Sequence, residues 1–300
     1  MPDGKILHIH GDPAIDPWLQ EQHRRRQVVH DVCHRYPTKL PTVDFDDIKP
    51  GEVKLFQGVL VNEKYKVAYT PLPKVACTSW KTLLLSMSGA FDKIENLYVH
   101  DFKVLKKYGW IPLNTFSPDK IGKILKTYRK FLMVRHPYKR LHSAFTEKFQ
   151  DFFENEPNPD FPKIWEKIIR QYKRKSAGRP QALTTEVQRP LSFEEFLQFV
   201  ADPKIEPTKK LEPHWTPFYL MSSPCAVKYD YILKMETLTQ DADRFLGSVL
   251  NTTYKLTRGH IVGLTDINAY KNISKPLMQN LWSMFQLDFE LFGYQWPIGI

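Results

Sequence analysis

Residues 71–82 read PLPKVACTSWKT, and residues 133–149 read MVRHPYKRLHSAFTEKF. Both carry the residue types that hold phosphate. In the first, a strand runs into a turn of small residues that opens a helix. Successive backbone N–H groups in such a turn can face one anion, and the helix N-terminus adds positive potential. Lys74 brings a mobile point charge, and Thr78 and Ser79 bring hydroxyls. The GxxxxGK[ST] pattern of a Walker A loop is absent, because Lys74 precedes the hydroxyls instead of abutting them. In the second, Arg135 follows the apolar run FLMV, at the carboxyl end of a strand where open α/β sheets bind ligands. Its planar fork suits a phosphate, and Ser143, inside a helix opened by Pro137, adds a hydroxyl. Together the segments can hold a nucleotide with phosphates at two ends. Each also has a plainer reading. The first can be an ordinary strand–helix turn with a surface lysine. In the second, Arg135 can neutralise a carboxylate while Ser143 merely packs.

Elements must place these groups. Residues 1–16 read as an irregular arm, 18–34 as a helix with Pro17 in its first turn, and 37–51 as a Pro/Asp-rich linker. Strands are expected over 53–61 and 66–70, then the turn, then a helix over 80–88. Ser117 caps a helix over 118–128, and 131–134 is a short buried strand. A helix runs from 137 toward 153. Residues 155–162 break the chain, 164–175 is helical and 176–190 is a loop. Ser192 caps a helix over 193–201, with Glu194 and Glu195 in its first turn. Residues 203–217 are Pro-rich and extended, 229–235 is a strand, and 241–250 and 275–287 are helices. The alternation argues for an α/β fold whose central, mostly parallel sheet is flanked by helices. The domain reading is an N-terminal arm, helix and linker over 1–50 and one catalytic domain over 51–300.

With 300 residues, 42% of them hydrophobic, the chain can bury a sizeable core. A net charge of +10 favours an anionic partner. No RNA-binding or zinc-finger signature is present, so nucleic acid is disfavoured. Cys33, Cys77 and Cys225 form no CxxC pair, which argues against structural zinc. Sequons occur at Asn251 and Asn272. No signal-peptide core and no membrane-length apolar run is visible, so the protein is soluble as made or its anchor lies outside this sequence.

The two segments resemble those of the Golgi carbohydrate sulfotransferases, in particular the chondroitin/dermatan 4-O-sulfotransferase group. The likeness lies in Pro73-Lys-Val-Ala-Cys-Thr-Ser-Trp-Lys81 and in Val134-Arg-His-Pro-Tyr-Lys-Arg-Leu-His-Ser-Ala-Phe-Thr-Glu-Lys-Phe149. It continues through Glu212-Pro-His-Trp-Thr-Pro, Tyr229-Asp-Tyr and Lys234-Met-Glu-Thr-Leu to Asp288-Phe-Glu-Leu-Phe-Gly-Tyr. The resemblance implies a P-loop-like sulfotransferase fold and a location in the Golgi lumen. It implies the co-substrate 3′-phosphoadenosine-5′-phosphosulfate (PAPS) and no metal. The 5′-phosphosulfate would lie on Lys74, Val75, Ala76, Cys77, Thr78, Ser79 and Trp80, and the 3′-phosphate on Arg135 and Ser143. The acceptor would be an acidic, chondroitin- or dermatan-like glycan, most simply the GalNAc 4-hydroxyl. Thr70 and Ser222 stand where the family commonly has cysteines, which leaves Cys33 and Cys225 as candidates for a bridge and Cys77 outside it.

Sulfuryl transfer needs a base of near-neutral pKa, and histidine fits. His100, in Tyr98-Val-His-Asp, matches a family histidine between the two segments, and Asp101 could orient it; otherwise it reads as a structural histidine at a strand end. His214 is second; His136 and His142 lie within the second phosphate segment and could assist there, though helix-surface histidines are usually solvated. Lys74 would meet the bridging oxygen of the leaving group. Lys103, Lys106, Lys107, Arg174 and Lys209 could line an acceptor groove, though each alone reads better as a solvated charge. The segment Lys255-Leu-Thr-Arg-Gly-His260 could close over the nucleotide. The rival readings are a catalytically silent binder of acidic glycans, an enzyme acting on a terminal glucuronate or GalNAc, and a nucleotide kinase.

Overall fold

The computed structural model describes residues 16–150, 191–204, 212–256 and 267–296. The expectations for 1–15, 151–190 and 205–211 lie outside them, as do Arg174, Lys209 and residues 257–266. The chain divides into two compact units. Unit 1 comprises residues 1–135, 221–259 and 290–293; unit 2 comprises 136–220, 260–289 and 294–300.

Unit 1 is built on a five-stranded sheet. Its strands are β1 (Leu60–Asn62), β2 (Val67–Thr70), β3 (Ile111–Pro112), β4 (Arg129–Val134) and β5 (Tyr231–Lys234), in the order β3-β1-β2-β4-β5. β2, β4 and β5 pair in parallel, while β1 runs antiparallel to both β2 and β3. All but β1 therefore point the same way, and the mostly parallel α/β sheet flanked by helices is present. β2 is buried throughout and β4 from Lys130 onward, its last four residues apolar, as suits strands covered on both faces. The helices of this unit include α1 (Pro17–Arg35), α2 (Cys77–Leu85), α3 (Phe102–Lys107) and α4 (Pro118–Thr127).

The expected strand over 53–61 is a correction. Pro50–Phe56 is a 3₁₀ helix opened by a proline at its start and a capping box with Glu52, and only Leu60–Asn62 enters the sheet. Proline and a local capping carboxylate outweigh the β-branched character of the few residues that follow.

Within the described residues, α1 is tied into the sheet. The Gln22 side chain accepts the Ile232 N–H at 2.9 Å, and Arg25 donates to the Ile232 carbonyl at 2.7 Å. The buried Asp241 carboxylate accepts from Trp18, Arg25, the Lys234 N–H and Thr237. Part of the basic run Arg24–Arg26 is thus structural and not an open anion surface. A disulfide joins Cys33 to Cys225, with their Cα atoms 5.7 Å apart. The positions where family cysteines were expected are linked by hydrogen bonds instead. The Tyr229 hydroxyl donates to the Ser222 carbonyl at 2.8 Å and so accepts from the Thr70 hydroxyl at 2.6 Å.

The disulfide closes a separation of 192 residues, which in the chain-entropy picture contributes about 5 kcal/mol. Cys33→Ser is therefore expected to lower the melting temperature by ten degrees or more, on the order expected for that loss. Cys77→Ser should leave it near the wild-type value. An equal melting point for Cys33→Ser, or an intact mass that does not gain two hydrogens on reduction, would refute the bridge.

Unit 2 has an aromatic core that includes Tyr138, Phe145, Phe196, Trp215, Tyr270, Phe285 and Phe289. Its helices include α5 (Pro137–Phe145), Phe193–Val200 and most of Lys275–Leu291. Ser192 caps Phe193–Val200 in a capping box with Glu195, as expected. The buried Asp288 accepts from the Phe218 and Tyr219 N–H groups, and burial pushes its carboxyl up to about 6.

Candidate active site

β2 and β4 are parallel neighbours, with Thr70 opposite Leu132. Their carboxyl ends therefore open at the same edge of the sheet. β2 leads into residues 71–76 and α2; β4 leads into Arg135. That register brings Lys74 and Arg135 together, and the Arg135 guanidinium donates to the Lys74 carbonyl at 3.1 Å. Arg135 is 9% exposed, so its fork is held inside the site rather than swinging in solvent.

The turn has no glycine, yet Lys74 and Ala76 both take positive φ, at 68° and 58°. Left-handed backbone at a non-glycine residue costs roughly 1–2 kcal/mol, and such strain concentrates at ligand clamps. Its effect here is to curl the chain immediately before α2. The Ala76 N-cap position has no side-chain cap, and Ser117, expected to cap α4, makes no side-chain cap bond either, whereas Asp16, Asp101, His136 and Ser192 cap α1, α3, α5 and Phe193–Val200. Backbone N–H groups at a helix start of this kind can face an anion. Val75 and Trp80 are fully buried. The Trp80 ring packs on Tyr69, Phe131 and Phe245, and its N–H meets Met133 Sδ at 3.4 Å. These two side chains anchor the turn to the core, so only their backbone can serve a ligand. Cys77 stays outside the disulfide.

His100 reaches the same helix start. Its Nε2 lies 3.1 Å from the Thr78 hydroxyl, and its Nδ1 lies 3.2 Å from Lys81 Nζ. Lys81 was not singled out from the sequence, although its i,i+3 spacing from Thr78 puts both on one face of α2. Burial holds its amine below the usual lysine range. While charged, Lys81 can only donate, so His100 Nδ1 accepts and Nε2 carries the hydrogen toward Thr78. Asp101 does not orient the ring. Its carboxylate accepts the Lys103 N–H at 2.8 Å and caps α3, the local bond that an N-cap aspartate favours.

The other candidate histidines, His136, His142 and His214, belong to unit 2. His136 caps α5 through its ring nitrogen and packs edge-on against Phe289 and Tyr294. His142 lies edge-on to Phe193. Neither is a solvated helix residue as the sequence suggests, because the aromatic core of this unit reaches both. His214 pairs with Glu212. Its segment is held by buried Arg140, which donates to the Thr216 and Pro213 carbonyls at 2.6 Å each. Ser143 is buried within α5. Lys255 is exposed and pairs with Asp243. Asn251 and Asn272 are both exposed.

Lys74, Thr78, Ser79, His100 and Arg135 all belong to unit 1, while Ser143 and His214 belong to unit 2. Among the described residues, no three His, Cys, Asp or Glu side chains cluster to hold a metal ion. No described helix is long and apolar enough to cross a membrane.

A family model described as the sulfotransferase family matches residues 57–295. Carbohydrate sulfotransferase 12 of Mus musculus is 30% identical over 98% of this chain and 73% of its own length. Carbohydrate sulfotransferase 11 of Rattus norvegicus is 31% identical over 83% of this chain and 70% of its own. Carbohydrate sulfotransferase 10 of Rattus norvegicus is 34% identical over 99% of this chain and 81% of its own. No solved structure matches.

Proposed function

The chain belongs to the sulfotransferase family, as an enzyme of the carbohydrate sulfotransferase kind, and from that premise we propose that it moves a sulfuryl group from PAPS to a hydroxyl of an acidic glycan. The GalNAc 4-hydroxyl of chondroitin or dermatan is the first choice of acceptor, in the Golgi lumen. The observation that carries the reading is the strained, uncapped turn before α2 with the His100 ring 3.1 Å from its Thr78 hydroxyl.

The donor supplies the sulfuryl group: the bond from sulfur to the 5′-phosphate oxygen breaks as the acceptor hydroxyl oxygen bonds to sulfur. The N–H groups of Cys77, Thr78 and Ser79 hold the 5′ end. His100 takes the acceptor proton, which requires that Lys81 release Nδ1 or that the ring turn. Lys74 and the N–H groups absorb the charge left on the 5′-phosphate, the kind of preorganised stabilisation that catalyses such transfers. Arg135 holds the 3′-phosphate.

Labelled PAPS with desulfated chondroitin, followed by disaccharide analysis, tests the reaction and the hydroxyl together. Label in 4-sulfated GalNAc is expected; label elsewhere moves the acceptor to a terminal glucuronate or GalNAc. Absence of transfer to any glycan, with glycan binding retained, favours the silent binder. Arg135→Ala should weaken binding of 3′,5′-adenosine bisphosphate by about 2–3 kcal/mol, or thirtyfold or more, the range for a charged hydrogen bond. Undiminished affinity would remove Arg135 from the 3′-phosphate.

A further inference from the structure

Four large apolar side chains among the described residues are notably exposed: Phe91 at 66%, Tyr98 at 71%, Phe102 at 65% and Tyr254 at 37%. Three of the four lie within residues 91–102, around His100. Clustered exposed aromatics mark a binding surface more often than a lone one does.

Their backbone is not loose. Val99 and Leu105 are buried beneath them. The Asp101 N–H donates to the Tyr98 carbonyl at 2.9 Å, closing a turn through His100. The Asp101 carboxylate then caps α3. This turn sets the Tyr98 ring 5.6 Å, centroid to centroid, from the His100 ring. Beyond it, α3 turns Leu105 inward and exposes Phe102, Lys103, Lys106 and Lys107. The i,i+4 spacing stacks Phe102 beside Lys106 and Lys103 beside Lys107 on the outer side. Phe91 stands next to the exposed carboxylates Asp92 and Glu95 and is left out of this surface.

The geometry points to an acceptor platform: Tyr98 and Phe102 stack the sugar rings of an anionic glycan, and Lys103, Lys106 and Lys107 meet its carboxylates or sulfates, so that the chain is presented to His100. This rests on the sulfuryl-transfer reading and names its acceptor side. An aromatic face is electron-rich, and the C–H face of a sugar is weakly positive and apolar, so the two stack while the hydroxyl rim stays wet. Exposed ion pairs contribute little one by one. The rings therefore supply most of the affinity, and the lysines select for charge and speed encounter. A lipid surface seated on the Tyr98 ring would cover His100, which favours the glycan.

Two double variants test this: Tyr98→Ala with Phe102→Ala, and Lys103→Gln with Lys106→Gln. Acceptors are desulfated chondroitin and a neutral GalNAc-terminated oligosaccharide, with affinity for 3′,5′-adenosine bisphosphate and melting temperature as controls. The aromatic pair is expected to raise KM about tenfold for both acceptors, with donor-product affinity and melting point kept. The lysine pair is expected to raise KM for chondroitin alone and to flatten its salt dependence. Unchanged acceptor KM in both pairs overturns the platform. Loss of anionic-vesicle binding with acceptor KM intact overturns it in favour of a membrane contact. Should the wild type bind the bisphosphate but sulfate neither acceptor, or fail to bind it at all, the sulfuryl-transfer reading falls separately. Calorimetric titration with chondroitin then decides the surface: tenfold weaker binding in the aromatic pair upholds it, and equal binding overturns it.

Discussion

Lys74→Ala is expected to lower kcat by about a hundred- to a thousandfold, the loss that follows removal of one preorganised donor from developing negative charge. The fold should survive. Lys74 sits at φ 68°, and Ala76 already holds φ 58° two residues on, so alanine can occupy that backbone. The carbonyl that Arg135 grips belongs to the main chain and remains. The effect should therefore fall on turnover, with the melting temperature and the Arg135 contact unaltered. Lys74→Arg should restore little, because a planar fork does not replace a compact ammonium aimed at one bridging oxygen. Steady-state kinetics with labelled PAPS measures this. A kcat within a few-fold of wild type for Lys74→Ala would take Lys74 off the leaving-group side.

His100→Ala is expected to cost about a hundred- to ten-thousandfold in kcat, the range for a positioned general base. The pH profile separates this from a structural loss. A base must be unprotonated, so wild-type kcat rises with pH as the ring loses its proton. The alanine variant should lose that acid limb and keep only a low, flat rate. Lys81→Met provides the contrast. It removes the amine 3.2 Å from Nδ1 but leaves the ring, so the acid limb should persist and move. An acid limb retained in His100→Ala would assign it to another group, and His214 in its pairing with Glu212 would be next to test.

Much of this was legible before folding. The small-residue turn, the strand before Arg135 and the ordered series of family-like segments were enough for the sheet edge and the enzyme class, and they are the source of the proposal of Lys74, Arg135 and His100. Helix limits came within a few residues where caps and prolines punctuate the chain, as at Pro17, Ser117 and Ser192. The strand expected over 53–61 failed because a proline and Glu52 settle the local backbone before any sheet contact forms. The histidines of 133–149 were misread because periodicity cannot tell a ring facing water from one facing an aromatic core.

Residue types and their order thus determined which chemistry the chain can host, since a phosphate cradle, a mobile ammonium and an imidazole are local properties. Three features came only with the tertiary structure. The left-handed backbone at Lys74 and Ala76 is one, because no glycine announces it; it stands beside the fully buried Val75 and Trp80. The joining of Thr78, Lys81 and His100 is another, because a loop some twenty residues on has to fold back onto one helix face. The third is the exposed pair Tyr98 and Phe102. Their exposure beside buried Val99 and Leu105 is set by how the turn through His100 packs, which residue type alone does not tell.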